Sequence, residues 1–325
     1  MKHLINAIVY TIVLPCIIIS TFSQSARAQY LQSPLYYEGG SDARIYSSDT
    51  IMLDNTIIDD ASGIQPMGAL NIDTTYMYSP YFMILFLGME YSLADFCQIG
   101  FTLPYIFRTL TYTGSDYHKR GYGDTMMDVS FFFNIMKILD STTSTKMTFP
   151  TGDPMAQDGS YVVPTGYGSF TYSLLESVSY KLPDSVTRLP FRFFANFGFT
   201  YYSEAIIDTS STTRFIMEDG ISFSFLLGAE YTIFDYLKAQ LKINLLHMPG
   251  SNYKISTTGI GATDWIERND TITASDMILA VKFNIREYIS GYINFVLPMM
   301  EVKEDAVPDD LKRKWKILMG FNKTF

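Results

Sequence analysis

Charge, histidine, cysteine and long apolar runs are all scarce in this chain of 325 residues, and each scarcity excludes a class of protein. Charged residues make up only 18%, against about 25% in an ordinary soluble domain. The 24 Lys+Arg face 33 Asp+Glu for a net charge of −9. No basic run supplies the footprint that phosphate neutralisation needs, so no nucleic-acid partner is expected. Beyond the N-terminus, the charge-free stretch around the apolar peak runs only from Thr74 to Met89 and is interrupted by Ser79-Pro80. That falls short of the roughly 20 apolar residues of a spanning helix. The 21 Gly and 13 Pro are ordinary counts and no heptad persists, which removes collagen and coiled coil. What the chain does have is 24 Tyr and 24 Phe in a composition that is 47% hydrophobic. Disorder requires the opposite balance.

The first residues read as an export signal. Met1-Lys2-His3 is a positive head, Leu4 to Phe22 is apolar and free of charge, and Ala26-Arg27-Ala28 gives the small-x-small arrangement of a cleavage site. Cleavage is expected between Ala28 and Gln29, an uncleaved anchor being the alternative. Cys16 is not a lipoprotein site, because Pro15 stands where a small residue belongs and Ile17–Ile19 continue the apolar segment. Losing residues 1–28 removes two basic residues and no acid, which moves the net charge from −9 to −11. It also leaves Cys97 alone, so no intramolecular disulfide can form in an exported chain.

Alternation with a period of two dominates the rest. Phe191, Phe193, Ala195, Phe197, Phe199 and Tyr201 oppose Arg192, Phe194, Asn196, Gly198, Thr200 and Tyr202. Ile221 to Ile233, Leu237 to Leu245 and Met277 to Ile285 repeat the split, and weaker versions occupy 96–107, 126–137, 170–181 and 289–297. Side chains of a strand alternate between faces, so each segment carries an apolar stripe and a mixed, polar one. A soluble β-sandwich also alternates, but these segments run about 10–14 residues, the length of a tilted membrane-crossing strand. Short links (93–96, 233–237, 286–289) also take turns with long polar ones (113–123, 150–168, 204–220, 249–273, 301–311). Short turns at one end and long loops at the other describe an outer-membrane barrel.

The patterning predicts an all-β chain, a single antiparallel transmembrane β-barrel of about twelve strands, preceded by a cleavable signal peptide. Eleven strands are expected near 80–93, 96–112, 123–138, 143–150, 168–182, 190–203, 219–233, 237–248, 273–286, 288–301 and 312–325. Bacterial barrels have even strand numbers, so a twelfth is expected within Arg44–Ile58. Residues 29–43 read as a periplasmic leader and 44–325 as the barrel. Closure would turn the apolar parity toward lipid and the polar parity inward, since hydrocarbon tolerates no open sheet edge. Tyr91, Tyr105, Tyr112, Tyr180, Tyr201, Tyr202, Tyr231, Tyr236 and Tyr288 would form the interfacial girdles.

Short motifs sit where strands meet loops: Glu90-Tyr91-Ser92-Leu93-Ala94-Asp95, Leu103-Pro104-Tyr105, Gly121-Tyr122-Gly123-Asp124, Pro150-Thr151-Gly152-Asp153 and Thr165-Gly166-Tyr167-Gly168-Ser169. Their order over residues 44–325 resembles the outer-membrane barrel family known as the MetA-pathway of phenol degradation, with Ser92 in place of a Gly. That resemblance implies a barrel taking up small hydrophobic or aromatic compounds. The last strand, with Trp315, Ile317, Met319, Phe321 and Phe325 on one parity, resembles the C-terminal signal read by the barrel-insertion machinery. Lys323 departs from that signal.

The residues themselves place the candidate site on the inward parity: Glu90, Asp128, Arg192, Glu230, Lys238, Lys242, Lys282 and Arg286. Mixed signs in a narrow lumen suggest cross-barrel ion pairs, with a charge filter as the alternative. Asp124 and Asp153 are loop-motif candidates, read first as turn formers because Asp bonds its own turn backbone. His118 falls in a basic polar loop and His247 on the lipid-facing parity near a strand end, neither beside a recognisable catalytic partner. No enzymatic activity, metal or cofactor is expected. The functional expectation is passage of a small hydrophobic or aromatic solute through an outer-membrane barrel, with lipid around it. The rival is a structural or adhesive surface barrel acting through its loops.

Overall fold

A computed structural model gives the fold. It describes residues 66–325 except 80–81, 113–114, 137–138, 154–156, 159–160, 163–165, 167–168, 183–189, 209–212, 218, 250–251, 258–265, 268–271, 287–288 and 304–314. The signal segment, the leader, the Arg44–Ile58 segment and Tyr288 lie outside the described residues.

Twelve strands form the wall: β1 Leu70–Ser79, β2 Phe82–Ala94, β3 Cys97–Tyr112, β4 Thr125–Met136, β5 Leu139–Phe149, β6 Thr171–Lys181, β7 Phe191–Tyr202, β8 Gly220–Phe234, β9 Leu237–Met248, β10 Ile272–Arg286, β11 Ile289–Lys303 and β12 Lys316–Thr324. Each pairs antiparallel with its sequence neighbours, and β1 pairs with β12 to close the cylinder. The twelfth strand of the closed wall is therefore Leu70–Ser79, not a segment within Arg44–Ile58. Its inner face carries Asn71, Asp73, Thr75, Met77 and Ser79, and its outer face exposes Ile72 and Tyr78 with the polar Thr74 between them.

The seam is tied at both levels of the backbone and side chains. Phe325 N–H donates to the Leu70 carbonyl at 2.9 Å, Leu70 N–H returns to Phe325 at 3.3 Å, and the Thr324 hydroxyl donates to Asn71 at 2.6 Å. Lys323 lies with its ammonium 4.3 Å from the Phe325 ring centre, a cation–π contact that lets a charge sit beside an aromatic end.

The alternation is realised in the wall. On β8, Ile221, Phe223, Phe225 and Leu227 are exposed while Ser222, Ser224 and Leu226 are buried; on β9, Leu241, Ile243 and Leu245 are exposed while Lys242, Asn244 and Leu246 are buried. Leu227 is 51% exposed and Leu226 0%. Contiguous stripes of Phe, Leu and Ile on the outside fit acyl chains as their solvent, and the protected parity points into the cylinder. Tyr91, Tyr180 and Tyr236 stand on the outside. Tyr202 instead turns inward, where its hydroxyl meets Ser222 at 3.1 Å.

Four of the links read as loops contain strand, the shortest being the Gln157–Asp158 and Tyr161–Val162 pair. Residues Ser115–Tyr122 pair with the upper part of β3, from Tyr105 opposite Tyr122 to Tyr112 opposite Ser115, so that hairpin continues the wall beyond β4. Ala205–Asp208, Thr213–Met217, Asn252–Thr257 and Ile266–Glu267 form a four-stranded sheet that joins the β7–β8 connection to the β9–β10 connection. Backbone pairing satisfies polar groups of long connections that composition alone reads as irregular.

Candidate functional site: the lumen and its loop tie

Register on the inner face fixes which candidates meet. Arg192 on β7 is opposite Glu230 on β8, Glu230 is opposite Gln240 on β9, and Lys238 is opposite Lys282 on β10. Lys238 Nζ pairs with Glu230 at 3.2 Å, and Gln240 Nε2 donates to the other Glu230 oxygen at 2.7 Å. Arg192 donates to the Ser179 hydroxyl at 2.8 Å. Lys242 is buried opposite Gly228 with its ammonium 5.9 Å from the centre of the Phe194 ring. Glycine at 228 is required by that ring, since a Cβ would fall 2.2 Å from it. Arg286 ends β10.

Glu90 and Asp128 stand on the far side. Both flank Gly100 of β3, and the Asp128 carboxylate occupies the space a Cβ there would need. Asp128 faces Lys146 across β4–β5, and Asp73 of β1, one of the acids not foreseen, lies near Glu90. Buried charges of both signs are spread around the cylinder, with Arg108 on β3, Glu230 on β8, Lys242 on β9, Asp276 on β10 and Lys316 on β12. The Glu230–Lys238 pair links the adjacent strands β8 and β9.

The larger departure is apolar. Met77, Ile84, Phe86, Ile106, Met126, Phe194, Leu226, Ile278, Val296 and Leu318 form one buried cluster inside the barrel, drawn from nine of the twelve strands. Phe82 and Tyr292 pack against it. Tyr292 crosses Gly320 to bring its hydroxyl 2.6 Å from the Thr75 hydroxyl. A polar lumen was expected from parity. The signal in the sequence is an apolar residue within the otherwise polar parity of most strands, such as Phe194, Leu226 and Ile278. A small barrel fills its interior with side chains, and here the filling is a greasy collar.

The loop motifs converge at one node. Asp124 is buried and accepts the Gly152 N–H at 2.9 Å. Gly166 packs so close that a Cβ would lie 2.6 Å from Asp124 and 2.8 Å from Gly152. The Thr151 hydroxyl donates to the Gly123 carbonyl at 3.1 Å and accepts the Thr125 N–H at 2.9 Å. Three motifs separated in sequence are therefore one knot above β4, with Asp153 exposed beside it. His118 and His247 each meet a threonine hydroxyl at 3.0 Å, from Thr109 and Thr273. Among the described residues, no three His, Cys, Asp or Glu side chains are grouped to hold a metal.

These features define a closed, twelve-stranded barrel of the outer-membrane type. The outer-membrane channel of the COG4313 group from Pseudomonas putida F1 has a similar fold, with a TM-score of 0.61 and 12% identity over 82% of this chain and 99% of that one. The KdgM porin aligns with a TM-score of 0.45 and 7% identity over 78% and 99% of the two chains. The Pseudomonas putida toluene transporter TodX gives 0.45 and 11% over 83% and 91%. No family model and no curated sequence matches the chain.

Proposed function

We propose that the protein is an outer-membrane channel for small hydrophobic or aromatic solutes, exported by its N-terminal signal. The observation that carries this reading is the collar: ten apolar side chains packed inside the cylinder, where a sugar or ion pore would present polar groups. A hydrophobic constriction dewets and resists ions, while an apolar solute exchanges lipid-like surroundings for similar ones at little cost. The likeness to a COG4313 channel supports the reading through fold, and the ordered motifs support kinship with the phenol-degradation barrel family. Phe325, on the outer face at the seam, is the residue the insertion machinery would read.

The test is a conductance measurement in asymmetric bilayers containing lipopolysaccharide. Wild-type barrels should conduct ions weakly, with the current interrupted by a neutral ring-bearing solute and not by glucose. Replacing the collar residues Ile278 and Leu318 by serine should raise conductance several-fold. Interruption by glucose and the ring alike would overturn the solute class. Silence in both wild type and variant, with loop-dependent adhesion to a surface, would favour the adhesive barrel.

A further inference from the structure

One cross-strand row beneath the collar has polar groups that the wall does not use. On the inner face, Glu230, Gln240, Ala280, Asn294 and Leu318 lie side by side on β8 to β12. Gln240 and Asn294 are 5% and 2% exposed. Gln240 commits Nε2 to Glu230, which fixes the amide orientation and turns Oε1 away from β8. Neither Gln240 Oε1 nor Asn294 Oδ1 has a hydrogen-bond partner among the described residues. A buried, unsatisfied acceptor costs about 1–3 kcal/mol, so two in one row call for an explanation. Between them stands Ala280, the smallest side chain of the row, on a strand flanked by β9 and β11, which lie about 10 Å apart. The next row up holds Ile278 and Val296, and Leu318 ends this one; all three belong to the collar.

We propose that Gln240 and Asn294 are the polar end of a solute site whose apolar end is Ile278, Val296 and Leu318. Such a site takes a neutral solute with a compact apolar body and an O–H or N–H donor. The donor satisfies an amide oxygen over the gap at Ala280 while the body rests on the collar. The site rejects a body of the same shape that cannot donate, because the acceptors then stay buried and unpaired. Lys242 and Lys282, above and below Ala280 on β10's neighbouring row positions, bring positive charge to this wall, which suits neutral donors over ammonium ions. This inference rests on the lumen being a solute path, yet its binding step is measured without flux.

The experiment compares cyclohexanol with methoxycyclohexane on the full barrel in detergent micelles, following the methyl resonances of Ile278, Val296 and Leu318 by NMR. Cyclohexanol should shift them at concentrations about tenfold lower than its ether, the scale of one retained hydrogen bond. Asn294→Leu, alone and with Gln240→Met, should erase that preference, bringing the alcohol's response level with the ether's; Ala280→Leu should weaken both solutes. Equal responses of alcohol and ether in the wild type, or a preference that survives in the folded Asn294→Leu barrel, would overturn the site. Ordered water on the two oxygens gives the first of those results. A retained preference with no block of current would keep the site and refute transport.

Discussion

Two arcs of the wall obey different rules. In β8 and β9 the outer parity is dominated by Phe, Leu and Ile, and the inner parity is small, amide or charged apart from one buried leucine each, Leu226 and Leu246. In β5 and β6 hydroxyls stand on both faces: Thr142 and Ser144 inward, Ser141, Thr143 and Thr145 outward. Glu176 of β6 belongs to the outer parity too, opposite Phe197 of β7. Its two carboxylate oxygens accept the hydroxyls of Ser141 and Thr143. An ionisable group facing hydrocarbon is costly, and here neighbouring hydroxyls solvate it in place of water. The comparison teaches that a barrel tolerates polar side chains on its lipid face when they satisfy one another within the wall, and not otherwise.

The comparison can be broken most severely at the seam both arcs depend on. Removing residues 316–325 deletes β12 and leaves two open edges, so the chain should fail to give the compact, heat-modifiable band of a folded barrel in gel electrophoresis. Next comes the outer face itself. Leu227→Arg should cost about 2–4 kcal/mol, the penalty of a cation near the bilayer midplane, while Thr145→Arg beside the hydroxyl patch should cost clearly less; urea unfolding in lipid vesicles measures both. Inside, Glu230→Gln leaves Lys238 without its anion and should cost about 1–3 kcal/mol. It should also shift reversal potentials toward anions in the same bilayer assay. The smallest effect is expected at the paired hydroxyls of Ser130 and Ser144, 2.8 Å apart. Ser144→Ala should cost about 1 kcal/mol or less in the same unfolding experiment.

This contrast also explains what the sequence made legible. Where faces differ in polarity, as in β7 to β10, strand bounds read from alternation fall within a few residues of the wall. Where they do not, the reading slips: 143–150 stands for Leu139–Phe149; β1 alternates too, and is displaced because the charge-free run from Thr74 to Met89 merges it with β2 across Ser79-Pro80. Parity assigns Glu230, Lys238 and Lys242 to the same face of β8 and β9 without further information, but a bulge between Asn284 and Arg286 breaks the count at the end of β10. Which charges meet depends on register, and that is set by closure of the whole sheet, a property no local window contains. The collar was missed for a related reason. One apolar residue per strand is unremarkable, and only the cylinder gathers ten of them.

The seam between β1 and β12 joins Asn71 to Thr324, 253 positions apart. The ring can therefore be sealed only once β12 has been made, and any form without it has a raw edge at each end. A pairing this distant is slow to find, so the wall keeps an open edge on β1 until β12 is in place. Closure is thus a property of the two most distant strands together, and neither can satisfy its outer backbone groups without the other.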